Sequence, residues 1–283
     1  MTNGANTLRI KLKENQILRV AGAFDAMSAK LVELSNFDAV WAGSFAISAT
    51  HALPDASILT MTDFLKSAEN MVDACNIPVI ADCDTGFGGP SNVDYMIKKY
   101  ENAGVAGVSI EDKTFPKQNS LLEDGKQELL SEKDFVAKII AGKTAKNNPN
   151  FMIIARIDSL ILAKGMDDAL YRAKAYIDAG ADAIMINSQA SDPKEVFEFC
   201  DHYNSLEKKV LLAASPDSYN HVTEQELSEH GIQIIIYSNN LLRAAYPSMT
   251  KVAESILTFG RSKESEQDCI SIQNLIRFIP DSE

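Results

Sequence analysis

The stretch Asn102-Ala103-Gly104-Val105-Ala106-Gly107-Val108-Ser109-Ile110 reads as a helix end, a glycine turn and the start of a buried strand. Gly104 suits the left-handed residue that closes a helix, and the run behind it is nearly continuous in apolar residues, as a strand covered on both faces requires. The device recurs at Asp178-Ala179-Gly180-Ala181-Asp182-Ala183 and at His230-Gly231-Ile232. Working outward, apolar runs fall at 17–24, 39–41, 78–81, 106–110, 151–155, 183–186, 210–213 and 232–237. Amphipathic stretches at 93–102, 132–145, 166–178, 193–203 and 223–229 lie between them. About eight strands separated by helices, in a chain of 283 residues, is the arithmetic of an α/β protein of the (β/α)8 TIM-type barrel class. A doubly wound open sheet is the alternative, but the first run is followed by Ala23-Phe24-Asp25-Ala26 and no GxGxxG. No linker divides the chain, so it reads as a single barrel domain over 1–283 with a helical tail at about 248–279.

Lys and Arg number 27 against 39 Asp and Glu, a formal charge of −12. Such an acidic surface argues against nonspecific binding to nucleic acid or anionic membrane, and an anionic substrate would need a local cation. No run approaches the roughly 20 apolar residues of a membrane span. Residues 1–8 lack the basic and apolar regions of a signal peptide. Cys75, Cys83, Cys200 and Cys269 are scattered without a CxxC pair and read as reduced thiols. The expectation is a cytoplasmic protein that acts on a small molecule, with no nucleic-acid or membrane partner.

In a barrel the chemistry gathers where strands end. Asp82, Asp84, Thr85 and Gly86 follow one run; Glu111, Asp112 and Lys113 follow the next; Arg156 and Asp158 follow the third. Asn187 and Ser188 follow a fourth, and Gly43 and Ser44 an earlier one. A single acidic strand end would mean little, but carboxylates on successive strands repel one another unless a cation sits among them. Oxygen donors with no nearby His or Cys favour Mg2+ or Mn2+ over zinc. Asp82 and Asp84, two apart, would share one face of an ideal strand and Cys83 would face the other side. Residues 111–125 are too polar for a strand and too rich in turn formers for a helix. They predict a long loop over the mouth, able to bring Lys117 and Asn119 to a bound anion.

The run Glu111-Asp112-Lys113-Thr114-Phe115-Pro116-Lys117-Gln118-Asn119-Ser120 resembles the signature of the phosphoenolpyruvate phosphomutase family, in the isocitrate lyase/phosphoenolpyruvate mutase superfamily. The likeness also takes in Phe24-Asp25-Ala26-Met27-Ser28-Ala29, Trp41 with Gly43-Ser44, Pro54-Asp55, Asp82-Cys83-Asp84-Thr85-Gly86-Phe87-Gly88 and Ala155-Arg156. It implies a barrel whose eighth helix is exchanged between subunits of a homodimer or homotetramer. It also implies interconversion of phosphoenolpyruvate and phosphonopyruvate, the entry step to phosphonates, through a dissociative phosphoryl transfer. The implied metal site is Asp82 on Mg2+, with Asp55, Asp84 and Glu111 holding metal-bound waters. The implied catalytic set is Asp55, Lys117, Asn119 and Arg156. Substrate would meet Trp41, Gly43, Ser44, Phe45, Asn119, Arg156 and Asn187.

Other readings are separated by single residues. The carbon–carbon lyases of the superfamily carry Lys-x-Cys-Gly-His in this loop, where the chain has Lys117-Gln118-Asn119-Ser120. Phosphonopyruvate hydrolase typically has Thr where this chain has Asn119, whose amide would hold the transient phosphoryl group against water. A non-catalytic binding member is disfavoured because the acidic and basic residues are all present. Three positions depart from the family pattern. Asn187 replaces a His that contacts the phosphoryl group. Trp41-Ala42-Gly43-Ser44 exchanges Ser and Gly, which is expected to displace the Ser44 hydroxyl. Phe87 stands where Tyr is common.

Overall fold

The structure, a computed structural model, describes residues 4–122 and 127–278. Eight parallel strands close into a ring: β1 (Leu18–Ala23), β2 (Ala39–Ala42), β3 (Val79–Asp82), β4 (Gly107–Glu111), β5 (Met152–Ile157), β6 (Ala183–Ile186), β7 (Leu211–Ala214) and β8 (Ile234–Tyr237). Each pairs with the next, and β8 returns to β1 through Leu18 opposite Ile234 and Ala21 opposite Tyr237. Helices α1 (Gly4–Glu14), α2 (Ala26–Leu34), α3 (Ser44–Thr50), α4 (Met61–Ala74), α5 (Pro90–Asn102), α6 (Glu132–Ala145), α7 (Met166–Asp178), α8 (Lys194–Asn204) and α9 (Glu224–Glu229) fill the connections. This is the (β/α)8 barrel that the alternation of runs requires, with strand limits within a few residues of the expected ones.

Two apolar layers follow from the two-residue period of a strand. Leu18, Val20, Trp41, Ile80, Met152, Ile154, Met185, Ala213, Ile234 and Ile236 point inward and fill the barrel. Ala21, Ala23, Val40, Val79, Ala81, Val108, Ile110, Ile153, Ala155, Ile184 and Ile235 point outward onto the helices. Continuing the inward parity past the apolar residues gives Asp82 on β3, Glu111 on β4, Arg156 on β5 and Asn187 after β6. The period that packs the core therefore also aims these side chains into the mouth.

The N-terminal segment does more than its polarity suggests. Leu8 of α1 is fully buried within the barrel's inner cluster, so α1 plugs the end opposite the site. Arg9 fastens it there through Nη2 to Asp182 at 2.8 Å and Nε to the Asn150 carbonyl at 3.1 Å. At α2, Asp25 and Ser28 form a reciprocal capping box, with Ser28 N–H donating to Asp25 Oδ1 at 2.7 Å and Asp25 N–H to Ser28 Oγ at 3.0 Å. The Phe24–Ala29 run that belongs to the family likeness is thus a helix start.

Residues from Asn240 onward form a second compact unit. It contains α10 (Asn240–Phe259), a 3-10 turn (Lys263–Asp268) and α11 (Ile272–Phe278). Lys251 Nζ reaches back to Asp268 Oδ1 at 2.6 Å. No residue of α10 or α11 is buried. Of the segments singled out in the sequence, residues 1–3, 123–126 and Ile279 lie outside the described residues.

Candidate active site

The site is a pocket at the C-terminal ends of the strands. Ser44, Asp55, Asp82, Lys117, Arg156 and Asn187 line it, with Trp41, Gly43, Phe45 and Asn119 contributing further walls. Asp84 and Glu111 lie just beneath, both buried. The expected site residues therefore come from separate strand ends into one place.

β3 ends at Asp82, so the two aspartates are not brought together by strand periodicity. Asp84 has a left-handed φ of 49° and its backbone N–H donates to Asp82 Oδ1 at 3.2 Å. A turn, continued by Gly86 at φ 86° and Phe87 at φ 58°, folds the second carboxylate back over the strand end. Below it, the buried Lys138 of α6 donates to the Thr85 carbonyl at 2.8 Å. Cys83 packs outward with the helix-facing core, as alternation requires, and burial raises its thiol pKa far above the ordinary range. Phe87 packs its ring 5.8 Å from that of Phe64, an apolar role in place of a hydroxyl.

Lys117 is the centre of the acidic wall. Its ammonium lies 2.8 Å from Asp84 Oδ1, 2.9 Å from Asp55 Oδ1 and 3.1 Å from Ser44 Oγ. Burial disfavours the charged amine, but Asp84, Glu111 and Asp55 outweigh it and raise its pKa well above the lysine value. Asp84 responds in the opposite sense: burial pushes its carboxyl up to about 6, against the pull of Lys117. With the exchanged Gly43-Ser44 order, the Ser44 hydroxyl reaches the acidic wall. It is buried, donates to Asp82 Oδ2 at 3.0 Å and accepts from Lys117. Gly43 leaves room beside it for the Trp41 ring, which a Cβ there would meet at 3.1 Å.

The loop that carries Lys117 begins on a built base. Glu111 belongs to β4, and Lys113 bridges antiparallel to Leu129, with Thr114 N–H donating to the Glu128 carbonyl at 2.8 Å. Lys113 Nζ donates to Ser120 Oγ at 2.7 Å and the Gln118 carbonyl at 3.0 Å. Higher up, Ser57 accepts from the Lys117 backbone at 3.1 Å. Asn119 uses both ends of its amide within the chain: Nδ2 donates to Asp55 Oδ2 at 2.8 Å, and Oδ1 accepts from Leu121 N–H at 2.9 Å. Asn119, expected to hold the phosphoryl group, is fastened here to the acidic side.

Arg156 is held as a fork. Nε and Nη2 donate to the two oxygens of Asp158 at 2.9 and 3.0 Å, and Nη2 also donates to Ser120 Oγ at 2.6 Å. Nη1 stands 3.1 Å from Glu111 Oε2. Asn187, with its amide oxygen turned toward the guanidinium, accepts from Nη2 at 2.7 Å and Nε at 3.2 Å. Burial alone would raise the Asp158 pKa, but Arg156 and Lys113 hold it well below the usual carboxylate range. Behind this pair, Asp112 accepts from Asp158 N–H at 3.0 Å, from Tyr176 at 2.8 Å and from Arg172 at 3.2 Å.

Both oxygens of Asp84 and of Glu111, and Oδ1 of Asp55, are buried and accept no hydrogen bond, their only partners being ionic. Such oxygens suit a hard cation. Among the described residues, however, no three His, Cys, Asp or Glu side chains converge on one point, because the Lys117 ammonium stands between Asp55 and Asp84.

Sequence reasoning missed much of the far wall of the pocket, where Ser215, Asp217, Ser218, Ser238 and Asn239 join Ser188. The strand-end rule, applied also to the runs at 210–213 and 232–237, would have found most of them. His51, by contrast, sets Nδ1 3.1 Å from the Ile47 carbonyl at the end of α3, a local structural role.

Comparison with known proteins agrees with this geometry. The family model for phosphoenolpyruvate phosphomutase matches residues 8–257, and the chain belongs to that enzyme family. Phosphonopyruvate hydrolase from Variovorax sp. (strain Pal2) is 37% identical over 270 residues, covering 95% of this chain and 92% of that protein. The 2,3-dimethylmalate lyase of Eubacterium barkeri is 42% identical over 250 residues, covering 87% and 84%. Among solved structures, phosphoenolpyruvate phosphomutase from Streptomyces platensis subsp. rosaceus superposes with a TM-score of 0.93 at 39% identity, over 97% of this chain and 94% of that one. Phosphonopyruvate hydrolase in complex with oxalate and Mg2+ gives 0.90 at 34% identity, over 98% and 95%. Similar proteins thus include a mutase, a hydrolase and a lyase. No helix among the described residues is long and apolar enough to cross a membrane.

Proposed function

We propose that this chain is a phosphoenolpyruvate phosphomutase, interconverting phosphoenolpyruvate and phosphonopyruvate with Mg2+, or Mn2+ in its place. The observation that carries the reading is one pocket lined by Asp55, Asp82 and Arg156, with Asp84 and Glu111 buried next to it, Glu111 paired to Arg156 at 3.1 Å, and a loop whose Lys117 and Asn119 are fastened to Asp55. Asp82 would hold the metal, with Asp55, Asp84 and Glu111 on its waters, and the metal would supply a Lewis acid for the pyruvate enolate oxygen. The buried, unsatisfied oxygens of Asp84 and Glu111 fit that assignment.

The chain's own groups do the rest. Arg156, with Asn187 against its Nη2, receives the phosphoryl oxygens while the O–P bond breaks and a bond from phosphorus to C3 forms. A loose phosphoryl transition state needs position and charge more than a covalent catalyst. Lys117 and Asn119, both fastened to Asp55, close the loop over the acidic wall and keep water out. Trp41 forms the inner wall and Ser44 aligns Asp82. A −12 chain can thereby accept a polyanion. The same reading has the chain pairing with a second copy as a homodimer or homotetramer, for which the exposed Tyr246, Met249 and Leu257 of α10 offer an apolar face.

The second reading is phosphonopyruvate hydrolysis, favoured by the 37% identity to the Variovorax enzyme along nearly the whole chain. Asn119 weighs toward the mutase. A carbon–carbon lyase is weakened because none of the four cysteines lines the pocket. Phosphorus NMR of the protein with Mg2+ and phosphonopyruvate tests the choice. A growing phosphoenolpyruvate signal without free phosphate supports the mutase. Phosphate with pyruvate moves the chain to the hydrolases, and an unchanged spectrum removes both.

A further inference from the structure

One wall of the pocket plays no part in the reading above. β3, which carries Asp82, and β7 stand four strands apart in the eight-strand ring, so the segment after β7 faces the acidic wall across the mouth. There Asp217 Oδ2 lies 3.0 Å from Ser215 Oγ and 3.4 Å from Asn239 Nδ2, and accepts a short hydrogen bond from Ser238 Oγ. Asn239 Nδ2 also donates to Ser238 Oγ at 2.8 Å. The Ser238 backbone is wedged in place: a Cβ on Gly22 would stand 1.8 Å from the Ser238 carbonyl oxygen. All three donors crowd onto Oδ2. Among the described residues Oδ1 accepts no hydrogen bond, and no Lys, Arg or His forms an ion pair with Asp217.

The contrast with Arg156 and Lys117 is one of compensation. Each buried carboxylate named in the site (Asp55, Asp84, Glu111, Asp112 and Asp158) has an ammonium or guanidinium directed at it. Asp217 has only hydroxyl and amide donors among the described residues, all on one oxygen, and a place on the pocket wall. Such a group binds an O–H donor through a charge-assisted hydrogen bond and repels a second anion.

We propose that Asp217, oriented by Ser215, Ser238 and Asn239, is a specificity-determining residue. It accepts a hydrogen bond from an O–H group at the far end of a 2-oxo acid held at the acidic wall, and excludes ligands with a bare anion there. The O–H comes either from a carbon-borne hydroxyl or from the P–OH of a singly protonated phosphonate. The inference rests on the pocket being a metal-assisted 2-oxo acid site.

The test is titration calorimetry of the whole chain with Mg2+ and four probes: oxalate, 4-hydroxy-2-oxobutyrate, 2-oxopentanoate and 2-oxoglutarate. The last three differ only in carrying hydroxyl, methyl or carboxylate at the far end. The hydroxy acid is expected to bind about tenfold more tightly than the methyl analogue, the scale of a charged hydrogen bond, with 2-oxoglutarate weakest. Asp217→Asn should shrink the hydroxyl preference and restore 2-oxoglutarate, and Asp217→Ala should abolish the preference. Phosphonopyruvate, measured on either side of its second phosphonate ionisation, should lose affinity as pH rises, and lose less in Asp217→Asn. A wild-type chain that binds oxalate, treats hydroxyl and methyl alike, and holds phosphonopyruvate equally well on both sides of its second ionisation overturns the proposal without recourse to any variant. If a pH-dependent loss is seen but no hydroxyl preference, the carbon-borne source is rejected and the phosphonate source stands. Failure of oxalate itself to bind overturns the 2-oxo acid reading, and this assignment with it.

Discussion

Lys117 Nζ lies 2.8 Å from Asp84 Oδ1, so a lysine from the loop neutralises the acidic wall from within. The ammonium is buried with Asp55 and Asp84, away from screening by bulk solvent.

Replacing Lys117 by Met should therefore destabilise the metal-free protein by about 3 kcal/mol, the cost of leaving a buried charge unpaired. Millimolar Mg2+ should recover much of that deficit, because a cation held by the same carboxylates offsets their repulsion. Urea unfolding with EDTA and with Mg2+ measures both. An equal deficit in the two conditions would show that the carboxylates do not share a cation site.

Arg156 makes a different demand. Its fork serves Asp158 through two bonds while the same guanidinium faces Glu111 and Asn187. Arg156→Met should cost about 3 kcal/mol, because Asp158 and Glu111 are left to share the Lys113 ammonium, and Arg156→Lys should recover only part, since an ammonium cannot reproduce the planar fork. Chemical denaturation of the two variants provides the comparison, and full rescue by lysine would refute the geometric argument.

Asn187 holds the guanidinium from the pocket side. Asn187→Ala should weaken phosphonopyruvate binding about tenfold, the worth of one hydrogen bond to a charged group, while melting temperature changes little. Unaltered affinity and turnover would show that Asn187 does not assist the anion.

Lys138 supplies a pH signature of stability. Burial lowers its pKa to about 8 from the ordinary 10.5, so the folded protein binds fewer protons than the unfolded chain between those values. Stability contributed by this group should accordingly rise as pH goes from about 8 toward about 10, and the penalty is fully present below pH 8. Lys138→Met removes the titrating group, so its stability relative to the wild type should be greatest at neutral pH and shrink in alkali. A difference independent of pH would mean that the buried amine titrates at its ordinary pKa, as it does in the unfolded chain.

Much of the barrel was legible because burial on both faces forces the apolar runs, and one period sets both packing and site. Trp41, Asp82, Glu111, Arg156 and Asn187 all follow from that rule. The illegible parts arise where the period stops. Asp84 reaches the site through a left-handed turn, which residue type alone does not announce. The hold of Asn119 on Asp55 joins residues 64 positions apart and depends on how a loop lies. Leu8 was hidden for another reason: α1 alternates with charge, and its burial exists only once the barrel offers an opening to fill.

The anchor formed by Asp112, Arg172 and Tyr176 bears on how one scaffold can serve several chemistries. Asp112 also holds the Asp158 backbone and exchanges backbone hydrogen bonds with the Arg156 and Leu130 peptides. The foundations of the loops after β4 and β5 are therefore fastened to α7, away from substrate. Mutations at the loop tip can be sampled while the foundation stays intact, whereas a change at the anchor unsettles both loops together. Divergence in this family would then proceed by rewriting the residues around 117–119, with the barrel acting as an insulated chassis.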